Sequence, residues 1–85
     1  MWNDRLRLTE SVEAQWKLMN ETEQVAVMRV LELIDEDPIA GAPLLDPMRG
    51  YWSFRSGPMR IVYKIMPEAR LVAVLDIGFI AWKQS

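Results

Sequence analysis

The sequence predicts a single α+β domain over residues 1–85, with a helical hairpin packed on one face of a mainly antiparallel four-stranded sheet. Residues 49–78 hold three segments of β-forming residues separated by short turns with Gly or Pro, whereas residues 9–37 hold two segments with helical spacing. A short alternating segment precedes the helices, which gives the order β-α-α-β-β-β. Because helices and strands are segregated along the chain, we expect the helices to cover one sheet face and to leave the other face free.

The first predicted elements are a short strand and a helix. Residues 5–9, RLRLT, alternate charged and apolar side chains, which is typical of a strand. Thr9 or Ser11 can cap the helix that follows, and Val12 and Met19 are spaced to share one of its faces. We therefore expect the first helix to end near Met19.

A second helix is predicted directly afterwards. Asn20, with Glu23 three residues later, has the arrangement of a capping box. The apolar stripe expected on this helix comprises Val25, Val27, Met28, Leu31 and Ile34. Acidic residues 35–37 and then Pro38 should end the helix, because proline cannot continue it. Two successive helices with a short join form an αα-hairpin.

Residues 39–48 are predicted to be a connection, since they contain two prolines and a glycine. The strands that follow are expected at residues 51–55, 59–66 and 70–77. Residues 56–58 and 67–69 separate these strands, and such short connections indicate hairpins rather than crossovers. The predicted arrangement is an antiparallel meander.

Alternation along the predicted strands separates two sheet faces. Ile61, Tyr63 and Ile65 fall on the face suited to a core. The free face is expected to carry Tyr51, Ser53, Arg55, Arg60, Val62 and Lys64. If the connecting hairpin is short and its register favourable, Arg55 and Arg60 become neighbours, which is a hypothesis that a slip of one residue would undo.

The chain contains no cysteine and no histidine. This composition excludes disulfides, thiolate or imidazole metal sites, and acid-base catalysis by histidine. We therefore expect no metal and no cofactor. The first residues carry no signal-peptide pattern, and no apolar run approaches the roughly 20 residues needed to span a bilayer, so we expect a cytoplasmic protein without membrane contact.

The net charge of −2 hides an asymmetry between the two halves of the chain. Residues 1–48 contain four Lys/Arg and ten Asp/Glu, which gives 4 − 10 = −6, and residues 49–85 contain six and two, which gives 6 − 2 = +4. Positive charge on one side of a fold can attract a polyanion. The alternative interpretation is that these cations are solvated strand residues.

Several motifs resemble a known family. Residues 35–38 place acidic residues and a proline after the second helix, residues 44–52 read Leu-x-x-x-x-Arg-Gly-Tyr-Trp, and residues 54–65 read Phe-Arg-Ser-Gly-Pro-Met-Arg-Ile-Val-Tyr-Lys-Ile. With the predicted element order, these motifs resemble the RelE/ParE superfamily of toxins from bacterial type II toxin–antitoxin systems. The likeness spans nearly the whole chain, and residues 45–78 are its specific part. It implies a cognate antitoxin, encoded beside the toxin, that wraps and neutralises it in a hetero-oligomer.

The resemblance implies one of two activities. RelE-like members cleave mRNA in the ribosomal A site, with the 2′-hydroxyl as nucleophile and with Arg, Lys and Tyr side chains in place of histidine. ParE-like members inhibit DNA gyrase. Our interpretation is a metal-independent endoribonuclease, an mRNA interferase that inhibits translation and arrests growth. The alternative is a gyrase inhibitor, or a catalytically weakened member that acts only by binding protein.

Under the nuclease interpretation, the resemblance indicates the site residues by position. Arg60 matches the family's middle-strand arginine, which would bind the scissile phosphate, and Arg55 matches the basic position at the end of the preceding strand. These two arginines are the catalytic candidates. The substrate-binding candidates are Arg49, Tyr51, Lys64 and Lys83. A structural alternative for Arg60 is an ion pair with Asp76 across the neighbouring strand.

One part of the family's pattern is missing. After the last strand the family commonly has Gly-His-Arg or Gly-Lys-Arg and often a later catalytic Tyr, whereas this chain has Gly78-Phe79-Ile80 and no later tyrosine. Either the catalytic set is rearranged, with Lys83 as a displaced cation, or the activity is weakened or lost, or the target is a protein. Phe79, Ile80 and Trp82 either pack on the chain's own helices or form an interface with the antitoxin or a second copy.

Overall fold

In a computed structural model of the chain, two helices lie on one face of a five-stranded sheet within the described residues, which are 5–45, 47 and 49–79. The elements, in chain order, are β1 (Leu6–Leu8), α1 (Glu10–Leu18), α2 (Glu21–Glu36), a one-turn 3₁₀ helix (Pro38–Ala40), β2 (Ala42–Pro43), β3 (Tyr51–Ser56), β4 (Met59–Met66) and β5 (Leu71–Phe79). The predicted α+β class, with two helices followed by the antiparallel strands, is confirmed.

The strands are arranged in the order β1-β5-β4-β3-β2. The pairs β2–β3, β3–β4 and β4–β5 are antiparallel, whereas β1 and β5 are parallel. The described sheet thus has five strands rather than the predicted four. The additional strand, β2, consists of Ala42 and Pro43 alone, which is too short to show any alternation. Its proline lies on an edge strand, where a missing N–H is tolerated.

Side-chain caps fix both helix starts at the predicted residues. The Thr9 hydroxyl accepts a hydrogen bond of 3.2 Å from a backbone N–H in the first turn of α1. The Asn20 side chain accepts from the Glu23 N–H at 2.8 Å, and the Glu23 carboxylate accepts from the Asn20 N–H at 3.1 Å. The predicted capping box is therefore confirmed. Helix α2 ends at Glu36, as the acidic residues and Pro38 predict.

The buried face of α2 differs in part from the predicted stripe. Its buried residues are Val27, Val30, Leu31 and Ile34. The assignment of Val25 to this stripe is wrong, because its side chain is 45% exposed. Two residues correspond to about 200° around an α-helix, which puts Val25 on the side away from Val27. None of the helices formed by the described residues combines the length and the hydrophobicity that a membrane span requires.

The core lies between the helices and one face of the sheet. From the sheet and α1 it contains Leu6, Val12, Met59, Ile61, Tyr63, Val72, Val74 and Ile77. Trp52, Phe54 and Ile65 are partly buried and pack against these residues. The predicted division of β3 and β4 into a core face and a free face is confirmed.

Tyr63 joins the sheet to the segment that follows α2. Its hydroxyl donates a hydrogen bond of 2.5 Å to the Pro38 carbonyl. Burial raises the pKa of the Tyr63 hydroxyl; the backbone of Gly41 opposes this shift, and the charge of Asp37 adds to it. A Cβ on Gly41 would lie 2.5 Å from both the Tyr63 hydroxyl oxygen and the Ser53 carbonyl oxygen, so this close approach requires glycine.

Candidate functional site

The β3–β4 hairpin brings two arginines together. Arg55 stands directly opposite Arg60, and the next pair of residues closes the hairpin. Gly57 and Pro58 form the turn, and Gly57 has a φ of 59°. A positive φ followed by the fixed negative φ of proline matches a type II′ turn, whose twist suits a two-residue hairpin. The hypothesis that Arg55 and Arg60 are neighbours is confirmed.

We call the sheet surface opposite the helices the free face. Its described residues form rows across the strands, as given by the strand register: Tyr51, Lys64, Ala73 and Arg7 in the first row, Ser53, Val62 and Asp76 in the second, and Arg55, Arg60 and Gly78 in the third. Residues in one row have neighbouring side chains. The two outer rows are therefore cationic, and the row between them carries a carboxylate.

Tyr51 and Lys64 contact each other in the first row. The Lys64 Nζ lies 5.3 Å from the centroid of the Tyr51 ring, which is a cation–π contact. Both side chains are half-buried. Lys64 and Arg60 are separated along β4 by about 13 Å, at about 3.3 Å per residue. The structure thus groups these two substrate-binding candidates with each other and sets them apart from the arginine pair.

Arg55 and Arg60 are exposed, and neither forms an ion pair with any residue that the structure describes. The alternative in which Arg60 pairs with Asp76 is therefore wrong. Asp76 stands opposite Val62, one row away. Like charges directly opposite each other on adjacent strands are unfavourable, and a bound anion would relieve their repulsion. The arginine pair is therefore prearranged to bind an anion such as a phosphate.

The other predicted site residues lie elsewhere. Arg49 is exposed in the turn directly before β3. Phe79, at the end of β5, stands opposite the core residue Met59, so its ring is on the helical side of the sheet, where it is 44% exposed. Phe79 therefore does not cover the free face beside the arginine pair. Ile80, Trp82 and Lys83 lie outside the described residues.

A second cluster of arginines lies outside the predicted site. Arg5, Arg7 and Arg70 line a groove of about 740 Å³ at the opposite end of the sheet, beside the β4–β5 turn. The Nε of Arg5 lies 3.3 Å from Oδ1 of Asp35. Arg7 reaches the free face because β1 pairs with β5, a non-local contact that sequence reasoning missed. The alternation of residues 5–9 is the signal that could have indicated it.

The described residues of the free face offer guanidinium, ammonium, hydroxyl and carboxylate groups. Among the residues that the structure describes, no cluster of three or more acidic side chains could hold a metal ion. Arginine and lysine are hydrogen-bond donors suited to phosphate oxygens, and a tyrosine ring offers a surface on which a nucleobase can stack. The arrangement can therefore bind a nucleic-acid strand and stabilise negative charge on a phosphate.

Comparisons with known proteins agree on the fold. No protein-family model matches the sequence, and no curated protein matches it significantly. The RelBE2 toxin–antitoxin complex from Mycobacterium tuberculosis matches with a TM-score of 0.81 and 24% identity over 91% of this chain and 91% of that chain. The intact E. coli RelBE toxin–antitoxin complex matches with a TM-score of 0.73 and 25% identity over 92% of this chain and 96% of that chain.

A third solved structure shares the same fold. The YoeB/ParE toxin from Agrobacterium tumefaciens matches with a TM-score of 0.72 and 22% identity, over 91% of this chain and 99% of that chain. These matches agree with the motifs in residues 45–78. The chain therefore has the fold of the RelE/ParE toxins.

Proposed function

We propose that this chain is the toxin of a toxin–antitoxin system and that it inhibits translation by cleaving mRNA on the ribosome. The nuclease proposal rests on one observation: Arg55 and Arg60 lie opposite each other, exposed, on the free face of a RelE-like sheet. Such a pair suits a scissile phosphate, whose negative charge grows in the transition state. The contribution of these two arginines to catalysis is then electrostatic and needs neither a metal nor a cofactor.

Arg60 lies on the central strand β4 and would bind one non-bridging oxygen of the scissile phosphate, and Arg55 would contact the other. A guanidinium group donates parallel hydrogen bonds to such oxygens and keeps its charge throughout the physiological pH range. When the 2′-hydroxyl attacks phosphorus, negative charge develops on the oxygens that these donors already contact. Removal of either guanidinium should therefore destabilise the transition state more than it destabilises the bound substrate.

The row of Tyr51 and Lys64 would hold a neighbouring part of the RNA. A nucleobase can stack on the Tyr51 ring, and the Lys64 ammonium can contact a phosphate. The separation of about 13 Å between Lys64 and Arg60 leaves room for more than one nucleotide. Arg49, in the turn before β3, and Lys83 remain predicted substrate contacts.

The test is to express the wild-type chain and Arg60→Ala separately in a bacterial host and to map the 5′ ends of translated messages. We expect the wild type to arrest growth and to produce new in-frame cuts. Arg60→Ala should lower cleavage by about 100-fold or more, as loss of a transition-state donor does. Arg29→Ala, which removes an exposed arginine from α2, is the matched control and should cut normally. Unchanged toxicity of a folded Arg60→Ala protein would contradict the nuclease proposal.

A second candidate function is inhibition of DNA gyrase or another protein target. Two features support it: Phe79 and Ile80 occupy positions where nuclease members commonly have basic residues, and the chain has an acidic pI of about 5.0. Proteins that act on the ribosome compete for a dense polyanion, which favours basic chains. Growth arrest without new mRNA cuts would favour this candidate, and a supercoiling assay with purified gyrase would then test the target.

We also propose a cognate antitoxin as the partner. The solved structures of RelBE from two bacteria are toxin–antitoxin complexes, which supports this proposal. Phe79 is 44% exposed at the end of β5 and offers an aromatic anchor of the kind found at protein interfaces. Ile80 and Trp82 are predicted to extend that interface. Co-expression of a small protein encoded beside the toxin should restore growth.

A further inference from the structure

Asp76 lies in the middle row of the free face, beside the arginine pair. It is exposed and stands opposite Val62, while Gly78, two residues later on β5, stands opposite Arg60. The Oδ2 atom of Asp76 is 3.8 Å from the point that a Cβ of Gly78 would occupy. The carboxylate therefore leans along β5 toward the row of Arg60 and Arg55, next to the space that the absent side chain leaves.

A β-bulge places Asp76 on the free face. The register between β4 and β5 shifts between Val62, which stands opposite Asp76, and Tyr63, which stands opposite Val74. Strict alternation from Val74 would put Asp76 on the core face and Ile77 on the free face. The bulge reverses this arrangement, and Ile77 is only 2% exposed. Bulges are over-represented beside active sites, where they redirect a side chain.

Asp76 provides the sole carboxylate among the described residues of the free face. The cations that share this face are Arg7, Arg55, Arg60 and Lys64. Asp76 forms no ion pair with any other described residue. A negative charge beside phosphate-binding arginines repels the phosphate. A face that served only to bind a polyanion would gain from an uncharged residue here, so a role in proton transfer explains Asp76 better than a role in binding.

Cleavage through the 2′-hydroxyl requires a proton acceptor. The chain has no histidine. The Tyr63 hydroxyl is buried on the core side, where it donates a hydrogen bond to the Pro38 carbonyl. Charged arginine and lysine side chains have no acceptor site, whereas a carboxylate has two acceptor oxygens. Among the described free-face residues, Asp76 is a stronger proton acceptor than the hydroxyl groups of Tyr51 and Ser53.

We propose that Asp76 is the general base of the cleavage, an inference that rests on the proposed nuclease function. Its carboxylate takes the proton of the 2′-hydroxyl as the 2′-oxygen bonds to phosphorus, while Arg60 and Arg55 hold the non-bridging oxygens. The bond from phosphorus to the 5′-oxygen breaks, and that oxygen takes a proton from the protonated Asp76, directly or through water. The products end in a 2′,3′-cyclic phosphate and begin with a 5′-hydroxyl, and the carboxylate is regenerated.

The test measures single-turnover mRNA cleavage on purified bacterial ribosomes by the full-length wild type, Asp76→Asn, Asp76→Ala and Arg60→Ala. Asp76→Asn should lower the rate constant by about 10²–10⁴-fold, as loss of a general base does, while the protein stays folded. Sodium formate supplies a diffusible carboxylate and should restore part of the activity of Asp76→Ala but none of that of Arg60→Ala. Glu68→Gln, which changes an exposed carboxylate in the β4–β5 turn, is the matched control and should cleave normally.

The outcomes separate the two proposals. Cleavage by Asp76→Asn at the wild-type rate, with Arg60→Ala inactive, overturns the general-base role and leaves the nuclease function standing. Loss of cleavage in Asp76→Ala that formate does not restore, compared with chloride at the same ionic strength, also overturns it, because a residue that only positions others is not replaced by a free carboxylate. Absence of cleavage by the wild type overturns both proposals.

Discussion

Tyr51 and Tyr63 show how the strand face decides the role of a residue. Tyr51 stands opposite Lys64 on the free face and contacts its ammonium group, whereas Tyr63 stands opposite Trp52 on the core face and is fully buried. The Tyr63 hydroxyl binds the Pro38 carbonyl and is unavailable to a substrate. The Arg-Ile-Val-Tyr motif therefore combines a candidate site residue, Arg60, with a structural residue three positions later.

Tyr63→Phe should destabilise the fold without altering the free face. The substitution removes the donor of the Pro38 carbonyl, which should lower the free energy of unfolding by about 1–2 kcal/mol. Tyr51→Phe is the matched control, because it keeps the ring that contacts Lys64 and should change stability by less than about 0.5 kcal/mol. Urea denaturation of both variants measures the difference. Equal stability of the two variants would contradict the structural role of the Tyr63 hydroxyl.

Comparison of the wild type with Tyr63→Phe also tests the raised pKa of Tyr63. In the unfolded chain this hydroxyl ionises near its ordinary pKa of 10.0, and in the folded chain it ionises at higher pH. The stability that Tyr63 contributes is therefore fully present below the unfolded pKa and is lost as the pH rises toward the folded pKa. Urea denaturation from neutral pH to about pH 11 should show a steeper loss of stability for the wild type than for Tyr63→Phe. Parallel curves would show that burial does not shift this pKa.

At the scale of elements, the sequence predicted the features that depend on local signals. Thr9 and Asn20 start the helices because their side chains cap the backbone within one turn. Gly57 fixes the β3–β4 register, so the position of Arg55 opposite Arg60 could be predicted from the hairpin alone. These signals act over a few residues, which is why they are readable without the fold.

Features that depend on distant parts of the chain were missed or wrong. The pairing of β1 with β5 brings Arg7 to the free face, and β2 exists only because Ala42 lies beside Ser53. The bulge in β5 moves Asp76 to the free face, although strict alternation would bury it. Alternation therefore does not indicate that this carboxylate shares the free face with Arg60. Alternation shows which side chains of a strand share a face, as in residues 5–9, but it does not show which strand it pairs with or where a bulge reverses the faces.

Gly41→Ala should disrupt the corner where the 3₁₀ helix and β2 meet the sheet. The new Cβ would lie 2.5 Å from the Tyr63 hydroxyl oxygen and from the Ser53 carbonyl oxygen, so the segment must move away from β3. Overpacking of this kind should lower the free energy of unfolding by about 1–3 kcal/mol. Gly78→Ala is the matched control for stability, since the nearest atom to its Cβ is 3.8 Å away. Urea denaturation in which both variants unfold alike would show that the Gly41 contact is not restrictive.

At the scale of the whole molecule, the fold keeps apart the acidic and the basic residues, which are also separated along the sequence. The acidic helices α1 and α2 lie on one side of the sheet, and the cations of the free face lie on the other. A chain with a net charge of −2 can therefore still present a positive surface. Such a charge distribution orients a polyanion toward the free face before contact is made.

Binding of a polyanion to the free face should depend on salt in proportion to the cations that it contacts. For single-stranded RNA the logarithm of the binding constant falls with the logarithm of the salt concentration by about 0.7 per neutralised phosphate, so the four free-face cations should give a slope of about −2 to −3. Fluorescence anisotropy with a short labelled RNA measures this slope. Arg60→Ala should make it shallower by about 0.7, whereas Arg29→Ala on α2 should leave it unchanged. If both variants changed the slope equally, the RNA would contact the helical side as well, and the separation of charge by the fold would not direct binding.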